Sequence, residues 1–214
     1  MAHARLGYLA ASVVLAGCAA SPGAGAPAPS TTVSDDAGAA RSFHAGQVGT
    51  FHSARFELSL DLPEGKAWRI DDHRTPWLVA THEPTRSTLQ ARSWVEDKPV
   101  AKHRCYERAK QWKTGLPDID AGQAVSDERR SLDSGLEARI VSGVEVPEGS
   151  PRIGGYVVAV GTAVRKCLVI VYRTEAGRHA GPEAVADRLA VISETVMARV
   201  RFDRTLDYSR EPRP

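Results

Sequence analysis

Thiols, imidazoles and clustered cations are the groups through which this 214-residue chain could do chemistry. Its cysteines, Cys18, Cys105 and Cys167, lie too far apart for a Cys-x-x-Cys redox pair or a zinc knuckle. Histidines at 44, 52, 73, 82, 103 and 179 show neither His-x-x-x-His nor His-Glu-x-x-His spacing, the pattern by which a helix aims two imidazoles at one metal. Asp71, Asp72, His73, His82 and Glu83 would converge on a metal or general-base site if the strands carrying them are neighbours, although such groups at loop ends are more often simply solvated. No nucleophile elbow, P-loop or dinucleotide-binding glycine pattern is present. The expectation is therefore a non-enzymatic protein without cofactor or metal. A hydrolase or metal enzyme with a site assembled from distant residues is the alternative.

The densest charge lies on one predicted helix. Ala101, Cys105, Ala109 and Trp112 recur at helical spacing as a narrow apolar stripe, Pro99 suits the first turn, and Gly115 and Pro117 stop the run. Around that stripe Lys98, Lys102, Arg104, Arg108, Lys110 and Lys113 face only Glu107 in opposition. Lys102, Arg104 and Arg108 are a candidate anion or partner face, because aligned cations neutralise phosphates, headgroups and acidic proteins. Two plainer readings stand beside it: a solvated face, or an internal match to the acidic segment 116–134. A net charge of +2 on the whole chain argues against nucleic acid as a partner.

The elements that must position these groups are mostly strands. Phe56, Leu58, Leu60 and Leu62 alternate with polar residues until Pro63-Glu64-Gly65 turns the chain, and Trp68 and Ile70 open a short second strand. Residues 77–81 and 88–94 read as a hairpin, and 116–134 as loop-like and acidic, with a short helix or irregular strand within it left open. Leu136 to Val146 is again strand-like. The runs 153–163 and 167–174 are apolar on both faces, which marks a central hairpin covered from both sides. Gly154-Gly155 reads as a strand entry or bulge. Val185, Leu189, Ile192, Val196 and Val200 predict a closing helix, and Phe202 a last short strand. Trp68, Trp77 and Trp94 are expected at core edges, with a sugar or peptide platform as the other use of such rings. The sum is an α+β domain, an antiparallel sheet with helices packed on it.

Ahead of the domain stands an apolar run from Leu6 to Val14 followed by Leu15-Ala16-Gly17-Cys18. At about ten residues the run is too short to remain as a transmembrane helix. It resembles the lipobox of a bacterial lipoprotein signal peptide. That resemblance implies removal of residues 1–17, lipidation of Cys18, and a membrane as partner through the lipid. Ala19 in place of an aspartate leans the location to the outer membrane, facing the periplasm. Ordinary secretory cleavage near Ala16 or Ala20 is the competing reading. Residues 18–50 would be a flexible Ala/Pro/Gly/Ser linker reaching roughly 30 Å, residues 51–203 one domain, and 204–214 a charged tail. With Cys18 assigned to lipid, Cys105 and Cys167 form an even pair in an oxidising compartment, either bridged or left as buried thiols.

The order of elements, together with the opening Leu62-Pro63-Glu64-Gly65-Lys66-Ala67-Trp68 and the closing helix, resembles the PsbP-like α/β/α sandwich family over residues 51–203. The resemblance implies a binding, assembly or accessory role with an envelope protein partner, and it carries over no site residue. A carrier of small apolar ligands in a groove between helix and sheet is a further alternative.

Overall fold

The structure is a computed structural model that describes residues 41–202 except 45, 121–123, 133–134, 147 and 179–180. Residues 1–17, read above as a signal peptide, Cys18 and the linker to residue 40, His179 and the tail 204–214 lie outside the described residues. The strands are β1 (Val48–Ser53), β2 (Leu58–Pro63), β3 (Trp68–Asp71), β4 (Leu78–His82), β5 (Ser87–Val95), β6 (Ala124–Ser131), β7 (Glu137–Glu145), β8 (Arg152–Ala163), β9 (Lys166–Gly177) and β10 (Arg201–Phe202). The helices are α1 (Lys102–Trp112), between β5 and β6, and α2 (Gly181–Ile192), between β9 and β10. Seven strands form one antiparallel sheet in the order β3-β4-β5-β9-β8-β7-β6, and β1-β2-β10 form a small second sheet. The α+β plan is as the sequence implies, with a small second sheet in addition to the main one.

Alternation places that sheet between two cores. Along β8, Val157 and Ala159 point to one side while Tyr156, Val158 and Val160 point to the other, and along β9 Leu168, Ile170 and Tyr172 alternate with Cys167, Val169 and Val171 in the same way. The first side is covered by α2 and the small sheet through Leu58, Leu60, Val185, Leu189 and Ile192. The second is covered by α1 through Cys105, Tyr106 and Ala109. Each fully buried Val, Leu or Ile contributes roughly 1.5–3 kcal/mol, so the doubly covered hairpin is the part of the fold most strongly determined by apolar content.

Four local expectations are corrected. The acidic segment 116–134 is not all loop, since β6 pairs with β7 along the sheet edge (Asp127 opposite Val141, Arg129 opposite Arg139). Nearly all of β6 is solvent-facing, so it has no apolar alternation to read, and charge on an edge strand deters further pairing. The closing helix leaves α geometry at Ile192 for a π-helical turn over Ser193–Met197, although Val196 and Val200 remain buried. Packing also starts upstream of Phe51: Phe43, within the stretch expected to be linker, is buried against Trp68 and His82 at ring separations of 6.1 and 5.2 Å. A lone aromatic among polar residues has no periodicity to announce it. Finally, Gly155 is not a bulge. It lies opposite Thr174 in regular register and makes room for α2, because a Cβ there would sit 2.5 Å from Val185 Cγ1.

Candidate functional site

Helix α1 is held on the sheet by a disulfide. Cys105, on the buried stripe, is bonded to Cys167 at the start of β9, with a Cα separation of 5.7 Å and a separation of 62 positions in sequence. The bridge joins a short, highly charged helix to the most buried hairpin. Tyr106 locks the helix's other buried edge by donating to the Pro117 carbonyl at 2.6 Å, and burial pushes its phenol well above the ordinary value.

With α1 fixed this way, the three cations expected to form one face divide between two flanks. Arg104, Arg108 and Trp112 recur every four residues along one side, whereas Lys102 belongs with His103, Tyr106 and Lys110 on the other. Arg104 pairs with Glu107 at 3.2 Å, and Arg108 reaches Glu96 at 3.5 Å. Part of the expected internal match is present as well, since Lys110 lies 3.7 Å from Asp118.

The Lys102 flank borders a groove of about 550 Å³ between α1 and the β6–β7–β8 side of the sheet. Tyr106, Ile119 and Val160 give it an apolar floor, and Lys102, His103, Lys110, Arg129 and Arg139 stand around it with two acids, Glu107 and Asp120. Arg139 is committed, because Asp127 and Asp120 take its guanidinium at 2.9 and 2.7 Å and their hydrogen bonds hold it still more firmly protonated. Lys102, His103 and Arg129 make no ion pair or side-chain hydrogen bond among the described residues. The amino end of α1 opens here too, with Ala101 as a cap that offers no side-chain acceptor and with no acid in the first turn. A helix start normally recruits an anion or a capping oxygen. This one carries Lys102 and Arg104 in its first turn instead.

The imidazoles and acids suspected of converging do so only in part: Asp71, His73 and Glu83 line one open groove, which Asp72 and His82 do not share. His73 and Asp71 line an open groove at the β3–β4 edge, where Asp71 accepts the backbone N–H groups of His73 and Arg74, each at 3.0 Å. Asp72 is buried and takes the Ser53 hydroxyl, and Glu83 is exposed near Arg69. His82 points the opposite way, into the core. Its Nε2 lies 3.0 Å from Glu64 and its Nδ1 2.7 Å from the Thr85 hydroxyl. Ionised Glu64 can only accept, so neutral His82 donates from Nε2 and accepts from Thr85 at Nδ1. The chain continues from Thr85 to Ser87 at 2.7 Å and from Ser87 to the Tyr172 hydroxyl at 2.8 Å. Arg188, fully buried, closes it by donating to Thr174, to the Thr85 and Glu175 carbonyls and to the Arg41 carbonyl.

This Glu-His-hydroxyl series contains the atoms of a nucleophilic relay, but Thr85 and Ser87 are fully buried, so a substrate cannot reach either hydroxyl. Burial lowers the His82 pKa. For Glu64, burial works upward, yet the His44 N–H and ring and the Arg41 charge prevail and hold the carboxyl below its ordinary value. The sequence carried one signal of this network: His82 follows Leu78 and Ala80 in strict alternation, which aims it inward. Among the described residues no group of three or more His, Cys, Asp or Glu is placed to hold a metal.

The tryptophans share no platform. Trp68 and Trp77 are buried, whereas Trp94 is half-buried and meets Trp112 edge-on at 4.9 Å. The Arg92 guanidinium lies 4.0 Å over the Trp112 ring, and Arg108 flanks it at 6.0 Å. Trp112, expected on the buried stripe, is 39% exposed.

No protein-family model matches the chain, and no curated protein matches it. Among solved structures, a protein of Bacteroides thetaiotaomicron aligns with a TM-score of 0.45 and 10% sequence identity over 74% of this chain, which spans 49% of that protein's length. LpqN of Mycobacterium tuberculosis, a protein involved in cell envelope biogenesis, aligns with a TM-score of 0.40 and 14% identity over 72% of this chain and 90% of LpqN. Likenesses at this level assign neither family nor function to the chain. Among the described residues no helix is long and apolar enough to cross a membrane.

Proposed function

We propose that the chain is a cell-envelope lipoprotein of the outer membrane, held by a lipid on Cys18, whose domain is a non-enzymatic binding module for an acidic segment of an envelope protein. The site is the α1 groove. The observation that carries this reading is the pair of cations with no ion pair among the described residues, Lys102 and Arg129, which stand with the His103 ring around the apolar floor of Tyr106, Ile119 and Val160. Side chains and a helix terminus that the domain does not neutralise favour an outside carboxylate, and the floor supplies apolar area that a carboxylate alone would not use. Membrane attachment rests on Leu15-Ala16-Gly17-Cys18, and a PsbP-like accessory role accords with a site of this kind.

The test is photo-crosslinking in cells from a reactive residue placed at His103, with the captured proteins identified by mass spectrometry. A Lys102→Glu/Arg129→Glu variant is expected to lose the crosslinked partner while remaining folded and membrane-associated. Retention of the same crosslinks in that variant would overturn the groove as the site. Release of a Cys18→Ser chain from the membrane fraction tests the anchor separately.

A further inference from the structure

On the other flank of α1, Arg92 presents a guanidinium that the domain does not neutralise. It is half-buried on β5, stacks on Trp112 at 4.0 Å, and makes no hydrogen bond or ion pair among the described residues. Burial and the neighbouring charge of Arg55 both work against its protonated form. Arg55 in turn is fixed by neutral oxygens, with Nη1 donating to the Asp72 carbonyl at 3.0 Å and the Thr75 carbonyl at 2.6 Å. Arg108 adds a third cation 6.0 Å from the same ring. The carboxylate at this corner, Glu96, is taken by the Trp94 indole N–H at 2.8 Å and lies 3.5 Å from Arg108.

Trp77 lies on the same face of the sheet as Arg92. The β4–β5 ladder pairs Leu78 with Ala91, so Trp77, one residue earlier, falls next to Arg92 on the α1 side of the sheet. Its indole N–H is buried with no acceptor among the described residues. Two neighbouring guanidiniums, Arg92 and Arg55, that no carboxylate of the described residues takes, with Arg108 shared only with Glu96, mark a place where an oxyanion would be stabilised. The planar guanidinium fork matches phosphate oxygens two at a time. The partly exposed Trp112 suits the boundary between lipid headgroups and water, where an indole keeps its ring in an apolar layer and its N–H wet.

We propose that the corner formed by Arg55, Arg92, Arg108 and Trp112 binds the phosphate of an anionic membrane-lipid headgroup, laying this end of the domain against the bilayer. The proposal uses only the tether from the reading above, which would bring the corner near a membrane. It is independent of what occupies the α1 groove.

The experiment is flotation of the full chain carrying Cys18→Ser, so that no acyl group contributes, with vesicles of phosphatidylglycerol in phosphatidylcholine or of phosphatidylcholine alone. Binding to the anionic vesicles is expected, weakening as salt rises and falling about fivefold for each arginine replaced in Arg92→Gln and Arg108→Gln. Arg108 is on the surface, so its variant keeps the test valid if Arg92→Gln fails to fold. The groove variant Lys102→Glu/Arg129→Glu is expected to float as well as the parent, which separates failure here from failure of the groove. Absence of flotation with anionic vesicles, or flotation unchanged in both arginine variants, would overturn the proposal. Binding of inorganic phosphate alone at vesicle-like affinity would overturn the lipid assignment in favour of a soluble phosphate ligand.

Discussion

Replacing Arg188 by methionine asks whether the buried polar chain holds the domain together or merely occupies it. The guanidinium is fully buried and donates to the Arg41 carbonyl at 2.8 and 2.5 Å, to the Thr85 and Glu175 carbonyls at 3.0 Å each, and to the Thr174 hydroxyl at 2.8 Å. Methionine keeps the stem and removes every donor. The Thr85 carbonyl retains the Ser87 and Thr174 hydroxyls at 3.2 and 3.1 Å, so the loss falls mainly on the Arg41 carbonyl. One or two unsatisfied buried acceptors cost about 1–3 kcal/mol each. Against that, a desolvated cation disappears, and such replacements can be neutral or stabilising when they remove charge without stranding it. Here neutral carbonyls are stranded, and segment 41–44 can relieve them by lifting off at the expense of Phe43 burial. The net expectation is a loss of about 2 kcal/mol, a fall of about 1 M in the urea midpoint for a domain of this size. Trypsin should also cut after Arg41 faster in the variant, below the unfolding transition. An unchanged or raised midpoint with unaltered cleavage at Arg41 would refute the reasoning and show the arginine to cost as much as it contributes.

Three further outcomes follow from the same geometry. Removing the disulfide as Cys105→Ser/Cys167→Ser should cost about 4 kcal/mol from the entropy of the 62-residue loop; the midpoint shift in urea checks it, and two thiols alkylatable without reductant in the native protein would contradict the bridge. Gly155→Ala places a Cβ 2.5 Å from Val185 Cγ1 and should destabilise by about 1–3 kcal/mol, with partial recovery on adding Val185→Ala, both read from thermal unfolding. Stability should fall in acid in two steps. His82 has its pKa lowered in the folded state by burial, so the unfolded chain takes up a proton first and stability declines as pH drops below the ordinary 6.5. Glu64, held below 4.5 despite burial by its His44 and Arg41 contacts, adds a second decline as pH falls through its folded value. Urea midpoints between pH 8 and 3 should lose the first step in His82→Gln and keep the second.

The sequence alone determined the elements whose residue types repeat with the period of their own backbone. The doubly apolar runs of β8 and β9, the alternation of β2 and β4, the stripe of α1 and the start of α2 are local patterns of burial, and burial is what the pattern reports. The pairing of Cys105 with Cys167 was legible as a choice between bridge and free thiols, because the parity of three cysteines depends on Cys18. Segments whose partners lie elsewhere were not legible. β6 is held by its ladder and by Arg139 rather than by apolar residues, and Phe43 finds its pocket among Trp68 and His82 across more than twenty residues of chain.

The same division runs through the candidate sites. That α1 is basic could be read from residue counts, but which cations remain unneutralised could not. Tertiary packing gave Asp120 and Asp127 to Arg139, Glu107 to Arg104 and Glu96 to Arg108, and left Lys102, Arg129 and Arg92 without an ion pair among the described residues. Electrostatic attraction falls off over a few ångströms inside a folded domain, and distances of that kind exist only once the sheet has brought β5, β6 and β7 beside the helix.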